Sequence, residues 1–163
     1  MRSAKCGVRS AAGVLSGLCL AVLASLACNE EKSPNFTTET LRGRVVFLAE
    51  AMEKQTGATS VPEAKDRVLA LQTAAGDLVP LLEDIRARAF RRDERLREMQ
   101  VELVVRRYRQ SPLVQIIRVI EVATDGRYDI DYWCEICAIA MFENKDCECC
   151  QGPVELRRHR VND

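Results

Sequence analysis

Five of the eight cysteines in the 163-residue chain are concentrated near its C-terminus. All five fall within one 17-residue segment, as Cys134, Cys137, Cys147, Cys149 and Cys150. Four of them form the pattern C-x2-C-x9-C-x2-C, and Cys149 is the one left over. Because a two-residue spacer lets both sulfurs of a tight turn face one ion, this spacing predicts a compact cysteine-rich knuckle within residues 134–163, followed by a basic tail.

The two cysteine pairs resemble the paired knuckles of zinc-ribbon and rubredoxin-type sites. The resemblance implies that the four cysteines of the pattern, Cys134, Cys137, Cys147 and Cys150, bind zinc or iron. Two further residues are candidate ligands, Cys149 and His159. Gly152 fits a knuckle turn, but the sequence departs from the usual pattern because neither pair has a glycine directly after its second cysteine.

The first 28 residues have the organisation of an export signal. Arg2, Lys5 and Arg9 form a basic start, and residues 10–28 carry no charge and are rich in leucine. A basic region followed by an apolar stretch is typical of a signal peptide. The stretch ends in the sequence ASLAC, whose cysteine is Cys28.

This ending resembles the lipobox of bacterial lipoproteins, with Ser25 at the position that leucine usually takes. The resemblance implies that residues 1–27 are removed and that Cys28 carries a lipid, which anchors the protein to a membrane of the cell envelope, facing the periplasm or the exterior. An ordinary cleaved signal peptide and an uncleaved transmembrane anchor are the alternatives. The remainder resembles uncharacterised bacterial lipoproteins that end in W-C-x-x-C and C-x-C-C-Q-G-P, here residues 133–137 and 147–153.

An exported location leaves two other interpretations of the cysteine block open. Nearby cysteines usually form disulfides in an oxidising compartment, and four cysteines allow three pairings between which the sequence does not choose. Cys134 and Cys137 could instead form a redox dithiol of the thioredoxin kind, although the acidic Glu135 and Asp131 would oppose thiolate formation.

Composition and motifs exclude several classes of function. Removing the signal leaves 136 residues, enough for one domain, and 21 basic against 24 acidic residues, a balance that disfavours nucleic-acid binding. The sequence has no phosphate-binding glycine loop, no G-x-S-x-G, no HExxH and a single histidine. We therefore expect a binding or structural module of the envelope with a protein partner there, rather than an enzyme. A thiol redox or metal-handling protein is the alternative.

The pattern of the mature chain predicts a mainly β fold with a short helix, in the form of a small OB-like Greek-key barrel. Residues 28–40 are polar and predict a flexible tether, and residues 41–133 the barrel-like domain. Predicted strands or hairpin arms are 41–48, 67–73, 77–82, 101–105, 113–122 and 128–133, with a short helix at 92–99. The alternative is an α+β fold in which residues 41–56 and 83–110 form two long amphipathic helices.

The proposed lipid site predicts the outcome of Cys28→Ala. Without the cysteine the chain cannot be acylated, so the variant should be found in the soluble fraction after cell disruption, whereas the unaltered chain stays with the membranes. Fractionation followed by mass spectrometry of the N-terminal peptide measures both properties. Continued tight membrane retention of the unlipidated variant would favour the transmembrane anchor instead.

Overall fold

The computed structural model describes residues 35–162, which belong to one compact unit. The predicted signal peptide, Cys28 and the first part of the predicted tether lie outside the described residues. The described part holds eight strands, three short α-helices and one turn of 3-10 helix at Pro62–Ala64. The strands and helices are, in chain order, β1 (Phe36–Phe47), α1 (Leu48–Thr56), β2 (Leu69–Thr73), β3 (Leu78–Pro80), α2 (Ile85–Arg92), α3 (Glu94–Glu98), β4 (Val101–Tyr108), β5 (Val114–Ala123), β6 (Gly126–Cys134), β7 (Ile139–Met141) and β8 (Glu155–Arg160).

All eight strands belong to one sheet, and every pair of neighbouring strands is antiparallel. The order of pairing is β3-β2-β1-β4-β5-β6-β7, and β8 pairs with the edge of β6 opposite to the one that β5 and β7 share. The prediction of a mainly β fold is therefore confirmed, and the described residues hold three short α-helices where one short helix was predicted. The sheet does not close into a barrel, because between its β3 side and β5 the described residues form only the isolated parallel bridge of Leu81 with Val114.

The alternative with two long helices is wrong. Residues 41–47 and 101–108 are strands that pair with neighbouring strands in the sheet. Their β-branched and aliphatic side chains favour this conformation. The predicted hairpin is present as β2 and β3. The predicted short helix at 92–99 corresponds to α3. A further helix, α2, lies before it, and its start is stabilised by the Asp84 carboxylate, which accepts the backbone N–H groups of Arg86 and Ala87.

The folded domain begins earlier than the predicted boundary at Leu41. Strand β1 starts at Phe36, and its first residues pair with the end of β4. The Phe36 ring packs edge-on against Tyr108 with centroids 5.9 Å apart, and Arg107 donates to the Glu39 carboxylate at 2.7 Å. These cross-strand contacts stabilise a polar segment as a strand, so the prediction of a tether through residue 40 is corrected at its C-terminal end.

Gly43 lies where β1 changes partners. Residues up to Gly43 pair with β4, and residues from Gly43 onward pair with β2. A Cβ atom on Gly43 would lie only 2.1 Å from the backbone oxygen of Gln72. Glycine is required here because the backbone of β2 approaches too closely for any side chain.

The helices α2 and α3 cover one end of the core. Buried Ala87, Phe90 and Leu96 pack from these helices into the cluster of aliphatic strand residues. Asp93 joins the two helices to the sheet, since its carboxylate accepts the backbone N–H of Arg95 and the hydroxyl of the buried Tyr132 on β6, the latter at 2.9 Å. None of the helices within residues 35–162 has the length and apolar character needed to cross a bilayer.

Strand β6 is paired along both edges. β8 lies along residues 128–133 on one edge, whereas β5 pairs with residues 126–129 and β7 with residues 132–134 on the other. Alternate side chains of β6 point into the core, and the last of these, after Ile130 and Tyr132, is Cys134. The period of the strand therefore brings one cysteine of the C-terminal block to the inner face of the sheet.

The close approach at Gly43 predicts a large loss of stability for Gly43→Ala. The added Cβ would force β1 and β2 apart, and we expect the free energy of unfolding to fall by about 3 kcal/mol. Urea denaturation followed by circular dichroism measures it. Gly57→Ala is the control, because Gly57 has open space around it and only a left-handed φ of 72° to strain, which costs about 1 kcal/mol. Equal losses in the two variants would contradict the packing argument.

Candidate metal centre

The first cysteine pair lies where β6 ends and turns back into β7. Cys134 is the last residue of β6 and is completely buried. Its carbonyl oxygen accepts the backbone N–H of Ala138 at 2.8 Å, which closes a turn around Cys137. The inward direction of Cys134 is thus set by the sheet, and that of Cys137 by the turn.

The second pair repeats this geometry in the loop between β7 and β8. The Cys147 carbonyl accepts the N–H of Gln151 at 2.9 Å, and the Cys147 N–H donates to Gly152 at 2.8 Å. In each pair the residue after the second cysteine is left-handed, with φ of 52° at Ala138 and 58° at Gln151. These are the two positions at which the sequence lacks the glycine expected in a knuckle, so the turn forms in spite of the strain of a side chain there.

The four sulfurs of Cys134, Cys137, Cys147 and Cys150 all lie within 4.8 Å of one another. Four thiolates arranged tetrahedrally around zinc at about 2.3 Å would be about 3.8 Å apart, so only a small contraction separates the present arrangement from a coordination shell. The Cys134 and Cys150 Sγ atoms are 3.5 Å apart, well beyond the S–S bond of about 2.05 Å. All five cysteines of the described chain are free thiols.

Backbone N–H groups point at the sulfurs of the cluster. The Cys134 sulfur receives them from Ile136 and Cys137, and in the second pair the Cys147 sulfur receives them from the equivalent residues two and three positions later. Gly152 N–H lies 3.4 Å from the Cys150 sulfur. Hydrogen bonds of this kind favour the thiolate over the thiol, which is the form that binds a metal ion.

The thiols differ in acidity because they differ in these contacts. The N–H groups of Cys150 and Cys149 lower the pKa of Cys147 to about 7, below the ordinary value of 9.0. For Cys134, the N–H of Cys137 on its own lowers the pKa, but burial and contacts with neighbouring thiols raise it overall. Contact with the Cys149 side chain, then with other thiols, raises the pKa of Cys137. Among these three thiols, Cys147 is therefore the one whose thiolate form, the form that binds a metal ion, is favoured most.

A buried carboxylate holds the segment between the two pairs. Glu143 is completely buried, and its oxygens lie 2.7 Å from Nη2 of Arg88, 3.0 Å from Nε of Arg92 and 3.7 Å from Nζ of Lys145. Burial on its own would raise the pKa of Glu143, but the hydrogen bond from Arg88 and the positive charges around it lower the pKa below its ordinary value. The centroid of the adjacent Phe142 ring lies 3.6 Å from the guanidinium carbon of Arg86. Helix α2 thus binds two successive residues of this segment.

The structure brings together the four cysteines of the predicted pattern, and neither of the two further candidates belongs to the group. Cys149 is exposed and lies outside the group of four sulfurs. His159 lies on β8 opposite Asp129, with its Nε2 3.5 Å from the Asp131 carboxylate. Glu143 could not be identified from the sequence, because its only signal is a pair of arginines, Arg88 and Arg92, four residues apart on a helix, and nothing in the sequence names their partner.

Four sulfur donors with no oxygen or nitrogen ligand favour zinc, iron or another soft cation over magnesium or calcium. A set of four protein ligands leaves no open position for a substrate, which is the arrangement of structural or electron-transfer sites. The first pair also lacks the features of a reactive dithiol, because it lies in a turn rather than at the start of a helix, and the pKa values of both its thiols are raised.

Comparison of the chain with known protein families, curated proteins and solved structures finds no match. The chemistry of the cysteine site is therefore argued from its own geometry.

The left-handed residues predict that Ala138→Gly and Gln151→Gly stabilise the protein. Relief of about 1–2 kcal/mol of backbone strain exceeds the about 0.4–1 kcal/mol by which glycine stabilises the unfolded chain, so each variant should gain up to about 1 kcal/mol. Denaturation with chelator and reductant present measures this for the metal-free protein. Ala140→Gly in β7, where φ is not left-handed, should lose stability. A loss in all three variants would contradict the strain argument.

Proposed function

We propose that the protein is a membrane-anchored module of the bacterial cell envelope whose four-cysteine site binds one zinc or iron ion. The observation that carries the metal site is the convergence of four free thiol sulfurs within 4.8 Å. The N–H groups directed at those sulfurs support it, because they compensate the negative charge of thiolates in a partly buried place. The anchor on Cys28 is proposed from the sequence of the first 28 residues.

The role proposed for the ion is to order the C-terminal part of the chain. Coordination would join the end of β6 to the loop before β8. Pairing of β6 with β8 already brings these two segments close, and the ion would add a direct link between them. An ion that binds the folded site and not the unfolded chain adds its binding free energy to the stability of the fold. The protein would then act by binding a partner in the envelope rather than by catalysis.

Metal analysis tests the site. We expect the reduced full-length protein, purified from the envelope, to hold one zinc or iron ion per chain. Replacing the ion by Co²⁺ should give an intense sulfur-to-metal charge-transfer absorption and the visible bands of tetrahedral coordination. Removal of the ion should raise hydrogen exchange in residues 134–160 far more than in β4 and β5.

Two cysteine variants form a matched pair for this measurement. Cys147→Ser removes a buried sulfur of the group of four and should reduce the metal content well below one ion per chain. Cys149→Ser removes the exposed sulfur outside the group and should leave the content at one. A purified protein with no metal and four oxidised cysteines would contradict the metal site and indicate two disulfides in its place.

A further inference from the structure

The fifth thiol lies beside the four-cysteine site without belonging to it. Cys149 is exposed, yet its backbone N–H donates to the Cys147 sulfur and its side chain contacts the thiol of Cys137. It precedes Cys150 directly in the chain. An exposed thiol is therefore held next to two of the proposed ligands by the same turn that forms the second pair.

The site has a sealed side and an accessible side. Cys134 and Cys147 are completely buried and belong to the hydrophobic core, whereas Cys137 and Cys150 are only half-buried. An ion held by the four sulfurs would consequently be shielded by the core on one side. It would be reachable from solvent on the side where Cys149 lies.

Of the two half-buried ligands, Cys137 is the one best placed to be replaced. The Cys150 sulfur is fixed by the Gly152 N–H at 3.4 Å and by the Cys134 sulfur at 3.5 Å. Both side chains pack against the core, but the hydrogen-bond partners of the Cys137 thiol are other thiols, Cys149 among them. A bound ion can pass from the Cys137 sulfur to the neighbouring Cys149 sulfur with little change in the backbone.

We propose that Cys149 is an exchange ligand, through which a soft metal ion enters and leaves the four-cysteine site by way of a transient bond to Cys149 in place of Cys137. This inference rests on the proposed metal site. In the release direction, the Cys149 thiol gives its proton to water, a metal–sulfur bond to Cys149 forms, the bond to Cys137 breaks, and the Cys137 thiolate takes up a proton. No electrons are transferred. The ion on the exposed sulfur is then open to attack by the thiolate of a carrier molecule or by a chelator.

The exchange mechanism separates the rate of metal transfer from the affinity for metal. The experiment loads the full-length protein with one equivalent of zinc and follows its transfer to a chelating dye by stopped-flow absorption. With the unaltered chain we expect the rate to reach a plateau at high dye concentration, because ligand exchange inside the protein then limits it. Cys149→Ser should slow the transfer at least about tenfold while zinc affinity and stoichiometry stay unchanged.

Asp146→Asn is the matched control, because Asp146 is an exposed polar residue of the same loop on the other side of Cys147. Its transfer rate should equal that of the unaltered chain. Equal rates in Cys149→Ser and the unaltered chain would overturn the exchange role. A parallel loss of affinity in Cys149→Ser would overturn it too, since Cys149 would then be a permanent ligand. Failure of every form to bind one zinc would contradict the proposed metal site itself.

Discussion

The placement of the second cysteine pair depends on the ion pairs of the buried Glu143 carboxylate with helix α2. A buried carboxylate without partners costs several kcal/mol, and here two arginines of α2 and Lys145 surround it. Because the side chains of Arg88 and Arg92 are 42% and 46% exposed, water screens each single contact, and the three cations together offset the burial of the carboxylate. Helix α2 is itself fixed by Phe90 in the core. The sheet, the helix and the cysteine loop are therefore connected by one chain of contacts.

Several strands could be predicted from the sequence because their side chains carry the signal locally. β4, β5 and β6 are continuous apolar or alternating runs, and the hairpin of β2 and β3 has a glycine-containing turn. β8 could not be predicted, since its sequence ELRRHR looks like a basic tail. It becomes a strand because Arg157 and Arg158 meet Asp131 and Glu121 across the sheet, at 2.8 and 2.6 Å. Only the tertiary fold supplies those partners.

The candidate site divides in the same way. The C-x2-C spacing is a local property of a turn, so it identifies the four cysteines that converge. Spacing says nothing about which thiols are buried, so it does not distinguish the exposed Cys149 from its neighbours. A knuckle turn also favours glycine at the left-handed positions, which are occupied by Ala138 and Gln151 here. The turns form nevertheless, because backbone hydrogen bonds and the burial of Cys134 and Cys147 over-determine the local conformation.

The early start of β1 at Phe36 limits how far the domain can stand from a bilayer. Under the proposed lipidation, eight peptide units separate Cys28 from the first residue of the sheet, and a fully extended chain spans at most about 3.4 Å for each, or about 27 Å in all. That reach is shorter than the thickness of a membrane. If Cys28 carries the lipid as proposed, the domain would stay close to the bilayer surface, and any partner would have to meet it there.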